Sequence, residues 1–317
     1  MDLKDKRILA ELDKNARQSI SEIAKTIKLS KQSVKNRIDK LEKEKIIKGY
    51  YAIIDMFKLD RVAGRAWIKL LGASVDKQQE IIDFALKMRN VGWVVTLDGS
   101  YDLVVIFWAK DLIEFYSSLK ELEFNYVNYF KRIDISFIVR EHHLSHRYLL
   151  DDVGLTEWLT SVKYQESQLD ETDKKILNEL AENARIPLIE LSKKLEISDK
   201  VIRYRIKNLE QKKILLGYRA NINNVKLGYD WYKVFLSLQN LSAAKQKELM
   251  NYLKGNKNVI FVTEVIGKAD LEFEAMLQTN KDFHELMQEL RLKFADIIRD
   301  YESVIVYNVH RLYYFPS

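Results

Sequence analysis

At 317 residues the chain exceeds what one ordinary core fills and suits two to four small domains. It has no cysteine, which excludes a disulfide framework and thiolate metal sites, and its longest apolar run, Leu103–Ala109, is the length of a strand and not of a membrane span. The net charge of +6 is concentrated: residues 30–48 carry +4 and residues 198–219 carry +5, leaving −3 for everything else. The opening MDLKDKRILAELDK is charged where a secretory leader needs an apolar stretch, so a cytoplasmic location is expected and no membrane partner.

In chain order, Leu3, Ile8, Leu9 and Leu12 recur at helical spacing over Leu3–Lys14. Ser19 with Glu22 makes a capping box ahead of Ile20, Ile23, Ala24 and Ile27. Ser30 then suits the N-cap of a third helix, whose Val34, Ile38 and Leu41 form a single buried stripe. A β-branched run reaching Gly49 completes a winged helix-turn-helix over residues 1–55.

From Val62 the texture changes to Val62–Leu71, Asp76–Arg89, Val91–Asp98, Asp102–Ala109, Asp111–Glu123 and Lys131–His142, the order β-α-β-β-α-β. That order predicts a ferredoxin-like domain over residues 60–143, with two helices on one sheet face. The run Leu103-Val104-Val105-Ile106-Phe107-Trp108 is apolar on both faces, so the second face of the sheet is expected to pair with another sheet. Residues 144–168 read as a linker, with Leu155–Val162 around Trp158 as a short amphipathic helix.

A constant offset of 168 then repeats the whole unit. Ala16-Arg17 matches Ala184-Arg185, Ser30 matches Ser198, Leu41-Glu42 matches Leu209-Glu210, Gly99 matches Gly267 and His142 matches His310. The second unit comprises a winged helix-turn-helix at 169–223, with Ile202, Ile206 and Leu209 as its buried stripe, and a ferredoxin-like domain at 228–317. The fold class is therefore α+β, a tandem duplication of a winged helix-turn-helix followed by a βαββαβ domain.

With Val34 turned to the core, Gln32, Asn36, Asp39 and Lys43 face away and Ser33, Lys35 and Lys40 flank them; Lys200, Tyr204, Lys207 and Gln211 correspond, flanked by Val201, Arg203 and Asn208. Early positions of a recognition helix reach base edges and basic flanks meet phosphates. Gln32, Ser33, Asn36, Lys200, Val201 and Tyr204 are thus assigned to bases, and Lys35, Lys40, Arg203 and Lys212 to phosphates, with Asn208 on the same face. Arg37 and Arg205 border the buried stripe, where pairing with an acid of their own domain competes with a phosphate contact.

Asn15-Ala16-Arg17, Ser30, Arg37-Ile38, Leu41-Glu42 and Gly49-Tyr50, with Leu169-Asp170, Asp173, Asn183-Ala184-Arg185, Ser198, Arg205-Ile206, Leu209-Glu210 and Gly217-Tyr218, resemble the Lrp/AsnC (feast/famine) transcription regulators in two fused copies. The resemblance spans nearly the whole chain outside the linker. It implies a regulator that binds double-stranded DNA, pairs as a homodimer or an intramolecular pseudo-dimer, and answers to a small effector such as an amino acid, without a cofactor. One departure is shared by both copies: Lys45 and Lys213 stand where the family commonly has glycine between recognition helix and wing.

The ferredoxin-like part resembles the family's RAM domain, and Gly99-Ser100-Tyr101-Asp102 and Gly267-Lys268-Ala269-Asp270 match its loop. By that resemblance Thr96, Gly99, Tyr101, Asp102, Glu264, Gly267 and Asp270 are candidate effector residues. The same residues also read as hairpin turns, in which glycine supplies positive φ and aspartate bonds its own backbone. The sirohaem decarboxylases resemble this two-domain fold as well, also as fused pairs. Focused charge on both third helices and the scarcity of histidine argue for DNA binding by one or both helix-turn-helix units and against an enzyme. His142, His143 and His146 lack the spacing of a metal site, and none is expected.

Overall fold

The computed structural model describes residues 1–161, 169–312 and 315. Helices α1 (Leu3–Lys14), α2 (Ile20–Ile27) and α3 (Lys31–Lys43) lead into strand β1 (Ile47–Ile54). Asp2 and Ser19 close capping boxes at the first two helices, which fixes their entry and satisfies otherwise orphaned N–H groups. Lys28 turns the chain between α2 and α3 in the left-handed conformation at φ 55°. Lys45 at φ 56° and Lys213 at φ 53° keep the left-handed turn before the wing without glycine, so both copies hold a turn that costs an L-residue about 1–2 kcal/mol.

The first βαββαβ domain runs β2 (Val62–Leu70), α4 (Val75–Lys87), β3 (Val91–Gly99), β4 (Leu103–Ala109), α5 (Leu112–Tyr126) and β5 (Phe130–Leu144). The segment expected as an amphipathic helix is instead strand β6 (Glu157–Ser161), hydrogen-bonded to the end of β5; Val162 lies outside the described residues. Unpaired backbone along β5 offers more to this segment than an isolated helical turn does. The second unit repeats the order: α6 (Glu171–Glu182), α7 (Leu188–Leu195), α8 (Asp199–Gln211), β7 (Leu215–Ile222), β8 (Asp230–Leu238), α9 (Ala243–Gly255), β9 (Val259–Gly267), β10 (Leu271–Leu277), α10 (Asn280–Lys293) and β11 (Ile298–Leu312).

The two sheets do pair, through their edges as well as their faces. Strands follow the order β2-β4-β3-β11-β8-β10-β9-β5-β6, and β5 also bonds β2, so eight strands close into a ring with β6 outside it. Closure depends on the two long strands. Residues 130–137 of β5 pair with β2 of their own domain and residues 136–143 with β9 of the other; β11 does the same with β8 and β3. Closing the ring removes the sheet edges that an isolated domain would expose.

Alternation along each strand sorts side chains between two environments. Ala66, Ile68, Val105 and Phe107 pack outward under α4 and α5, as Val234, Leu236, Phe273 and Ala275 do under α9 and α10. Trp67, Trp93, Val104, Ile106, Phe235 and Val304 fill the interior. Gly99 (φ 127°) and Gly267 (φ 120°) sit where the other half's long strand crosses. A Cβ at Gly267 would lie 2.3 Å from the Ile135 carbonyl oxygen, so glycine is required there for space as well as for φ.

Candidate DNA-binding interface and barrel interior

Both third helices start on a serine: Ser30 Oγ accepts from Ser33 N at 3.1 Å and Ser198 Oγ from Val201 N at 3.4 Å. Val34, Ile38 and Leu41, and likewise Ile202, Ile206 and Leu209, are buried against the preceding helices. That burial turns Gln32, Lys35, Asn36, Lys40, Lys200, Val201, Arg203, Tyr204 and Lys212 to the surface, with Ser33 and Asn208 half-buried. Gln32 Nε2 donates to Asn36 Oδ1 at 2.8 Å, which presents the two amides as one unit. Tyr204 stands 69% exposed with no role in the core. Arg37 donates to Asp5 at 2.6 Å and Asp2 at 2.8 Å, and Arg205 reaches Asp173 at 3.3 Å and also Asp170. Each arginine therefore ties its recognition helix to the first helix of its own domain, and its guanidinium is already occupied.

The two helix-turn-helix units are joined through their wings. β1 and β7 form an antiparallel ribbon with Tyr51 opposite Arg219, and each unit hands the other one more backbone bond, Ala16 N to Tyr218 O (2.8 Å) and Ala184 N to Tyr50 O (3.0 Å). Arg17 lies over Tyr218 and Arg185 over Tyr50. On one side alone, Asp13 meets Arg219 in a fully buried pair (2.6 Å), with the Trp158 ring of β6 stacked on the guanidinium. Burial pushes the neighbouring His146 imidazole down to about 4, against a smaller opposing pull from Asp13.

The candidate effector residues divide. Asp102 accepts from Leu70 N (2.7 Å) and Lys69 Nζ (2.9 Å), and Asp270 from Leu238 N (2.7 Å). Each aspartate thus fastens its hairpin to the end of the preceding strand, and the expected bond to its own backbone gives way to that contact. Tyr101 is wholly buried between Trp67 and Phe235, with its hydroxyl on Asp134. Thr96 Oγ1 donates to Asn308 O at 3.4 Å, and Glu264 pairs with Arg140 at 2.7 Å. The loops therefore belong to the seam between the halves. His142, His143 and His146 each face a carboxylate from elsewhere in the chain (Glu157, Glu141 and Asp13), a set of pairs that spacing did not indicate.

The sequence also gave no notice of charge inside the barrel. Arg65 and Lys233, at equivalent positions of the two units, are buried with Glu272 and Glu274, and Glu141 beside them is partly buried: Lys233 bonds Glu272 (2.8 Å) and Glu274 (2.7 Å), and Arg65 bonds Glu141 (3.0 Å) and Glu272. Burial alone would raise the Glu141 carboxyl, yet His143, Arg65 and Lys233 hold it down to about 2. Among the described residues no three His, Cys, Asp or Glu side chains are grouped to hold a metal, and no helix is long and apolar enough to cross a membrane.

Residues 1–42 match the AsnC-type helix-turn-helix domain and residues 169–215 the winged helix-turn-helix DNA-binding family. An uncharacterized HTH-type transcriptional regulator of Pyrococcus horikoshii, PH0045, is 34% identical over 137 residues, 43% of this chain and 88% of that protein. The chain belongs to the Lrp/AsnC family. As a family member it is a DNA-binding transcription regulator, here with two helix-turn-helix domains in one chain. The regulator LrpA of the same organism is 51% identical over 61 residues, 19% of this chain and 43% of that one. Among solved structures, the siroheme decarboxylase NirDL covers 99% of this chain and 94% of its own at a TM-score of 0.63 and 15% identity, which extends the likeness in fold to the full tandem arrangement.

Proposed function

We propose that this Lrp/AsnC regulator reads the two halves of one operator with α3 and α8, as an intramolecular pseudo-dimer that carries out no chemistry on a substrate. The observation that carries the reading is the β1–β7 ribbon with its exchanged Ala16 and Ala184 bonds, since it fixes two exposed recognition helices as one unit. Gln32, Ser33 and Asn36 address bases in one half-site, and Lys200, Val201 and Tyr204 in the other. Lys35, Lys40, Arg203 and Lys212 address phosphates, with Asn208 beside them. Arg37 and Arg205 act through orientation, given their pairing with α1 and α6. Unequal helices imply an imperfect palindrome.

Selection of bound DNA from a random pool tests this: two dissimilar half-sites at a fixed spacing are expected, with affinity falling steeply as salt rises. A flat salt response, or a single half-site in the selected pool, overturns it. The proposal includes an effector such as an amino acid at the RAM-type domains, supported by the position of the Thr96–Asp102 and Glu264–Asp270 loops at the seam where the halves meet.

A further inference from the structure

One end of the barrel interior holds a cavity of about 40 Å³, lined by Arg65, Trp93, Trp108, Glu141, Trp231, Phe261 and Glu274 among others. That is roughly three times the room one water needs, so several heavy atoms fit. The walls are aromatic on several sides: Trp93 and Trp231 lie 6.5 Å apart, and Phe261 stacks parallel to Trp231 at 6.5 Å.

Two features of the polar lining bear on what belongs there. The interior holds three carboxylates, Glu141, Glu272 and Glu274, against two permanent cations, Arg65 and Lys233. Charge taken out of water is costly unless balanced, and the two permanent cations leave one of the three carboxylates without a fixed counter-charge; the His143 imidazole lies 3.0 Å from Glu141. Second, Arg65 Nε and Trp93 Nε1 are buried donors with no hydrogen-bond partner among the described residues. Buried N–H groups without partners are rare in folded proteins and point to something that accepts from them.

We propose that this cavity is a binding site for a small amino alcohol or related amine, a molecule with one ammonium group and one oxygen acceptor on a short apolar body. The ammonium lies against Glu141 and Glu274 and the faces of Trp231 and Phe261, where carboxylate and ring quadrupole both favour a cation. The oxygen accepts from Trp93 Nε1 and Arg65 Nε. Arg65 does not repel this ligand at full strength, because Glu141 and Glu272 already neutralise its guanidinium. The site is separate from the effector loops, none of whose candidate residues lines it, and is read without DNA, so its failure leaves operator binding untouched.

The test is titration of the full chain at neutral pH and constant ionic strength with ethanolamine and choline, against ethylene glycol as the neutral probe and glycolate as the anionic one. Three of the chain's five tryptophans line the cavity, so intrinsic emission reports occupancy, and melting temperature gives a second readout. Saturable responses to ethanolamine or choline are expected, about tenfold or more tighter than to the other two probes. Glu274→Gln is expected to weaken ethanolamine binding by about tenfold while Glu114→Gln, on the surface, leaves it unchanged. No saturable response to either amine, or glycolate binding as tightly as ethanolamine, overturns the assignment. Should Glu274→Gln fail to fold, the selectivity of the unaltered chain decides alone.

Discussion

The DNA-facing half of the molecule and the barrel interior treat the same duplication in opposite ways. Around the recognition helices the copies keep their pairings: Arg37 with Asp5 matches Arg205 with Asp173, and Tyr50 on Glu42 (2.5 Å) matches Tyr218 on Glu210 (2.6 Å). In the barrel only the cations are kept. Arg65 corresponds to Lys233, but the counterparts of Glu141, Glu272 and Glu274 are Val309, Val104 and Ile106. The buried pair Asp13–Arg219 likewise corresponds to Ala181 and Tyr51. Two identical subunits must use every interface residue twice, so an unpaired charge near the axis meets itself. Fusion lifts that constraint, and the acids have accumulated on one side of each contact.

The sharpest way to break this asymmetry is to remove one member of the interior set. Glu272→Ala leaves Arg65 and Lys233 short of a shared partner in a buried core, and a loss of about 3–5 kcal/mol in urea unfolding is expected. Val104→Ala, at the equivalent position of the other half, is expected to lose clearly less, roughly 1–2 kcal/mol from lost apolar burial. Equal losses would show that the two positions are energetically alike after all.

Acid probes the same contrast without mutation. Glu141 is held to about 2 when folded, against 4.5 for an ordinary glutamate, so its contribution is complete above pH 4.5 and is lost as pH falls toward 2. His146 is depressed to about 4 from 6.5, so the unfolded chain takes up that proton first and stability falls between pH 6.5 and 4. Each step is on the order of 3 kcal/mol. Urea unfolding of His146→Gln should lack the upper step and retain the lower one; persistence of the upper step would remove His146 as its source.

Much of this arrangement was legible in the sequence. Helical stripes, serine caps and the 168-residue repeat placed the helix-turn-helix units and the βαββαβ order, because each depends on local periodicity. The barrel charges were not legible. Glu272 and Glu274 alternate with Phe273 and Ala275 in a pattern that ordinarily means a solvated face, and only closure by β5 and β11 turns that face inward. The segment around Trp158 failed for a related reason. Its strand pairing depends on the free edge of β5, which no local pattern announces.

The DNA-facing half offers milder perturbations. Tyr204→Ala is expected to relax selection at one half-site alone, costing about 1–3 kcal/mol there, as Asn36→Ala does at the other. Lys40→Ala should weaken all sequences similarly and lower the salt slope by about one, so a sequence-selective effect of Lys40→Ala would contradict its assignment to phosphate.

The smallest expected effect tests whether the halves remain alike where their backbones are alike. Lys45 and Lys213 hold the same left-handed turn, and each side chain is exposed. Replacing either by glycine relieves about 1–2 kcal/mol of left-handed strain but returns about 0.4–1 kcal/mol of chain entropy to the unfolded state. A net gain of roughly 0.5–1 kcal/mol is therefore expected from Lys45→Gly and the same from Lys213→Gly, adding in the double variant because the two turns share no partner. Gains that differ between the copies would extend the asymmetry of the barrel and of the Asp13–Arg219 pair to the turns before the wings, and a loss at both would mean that the lysine side chains stabilise these turns by more than the backbone strain costs.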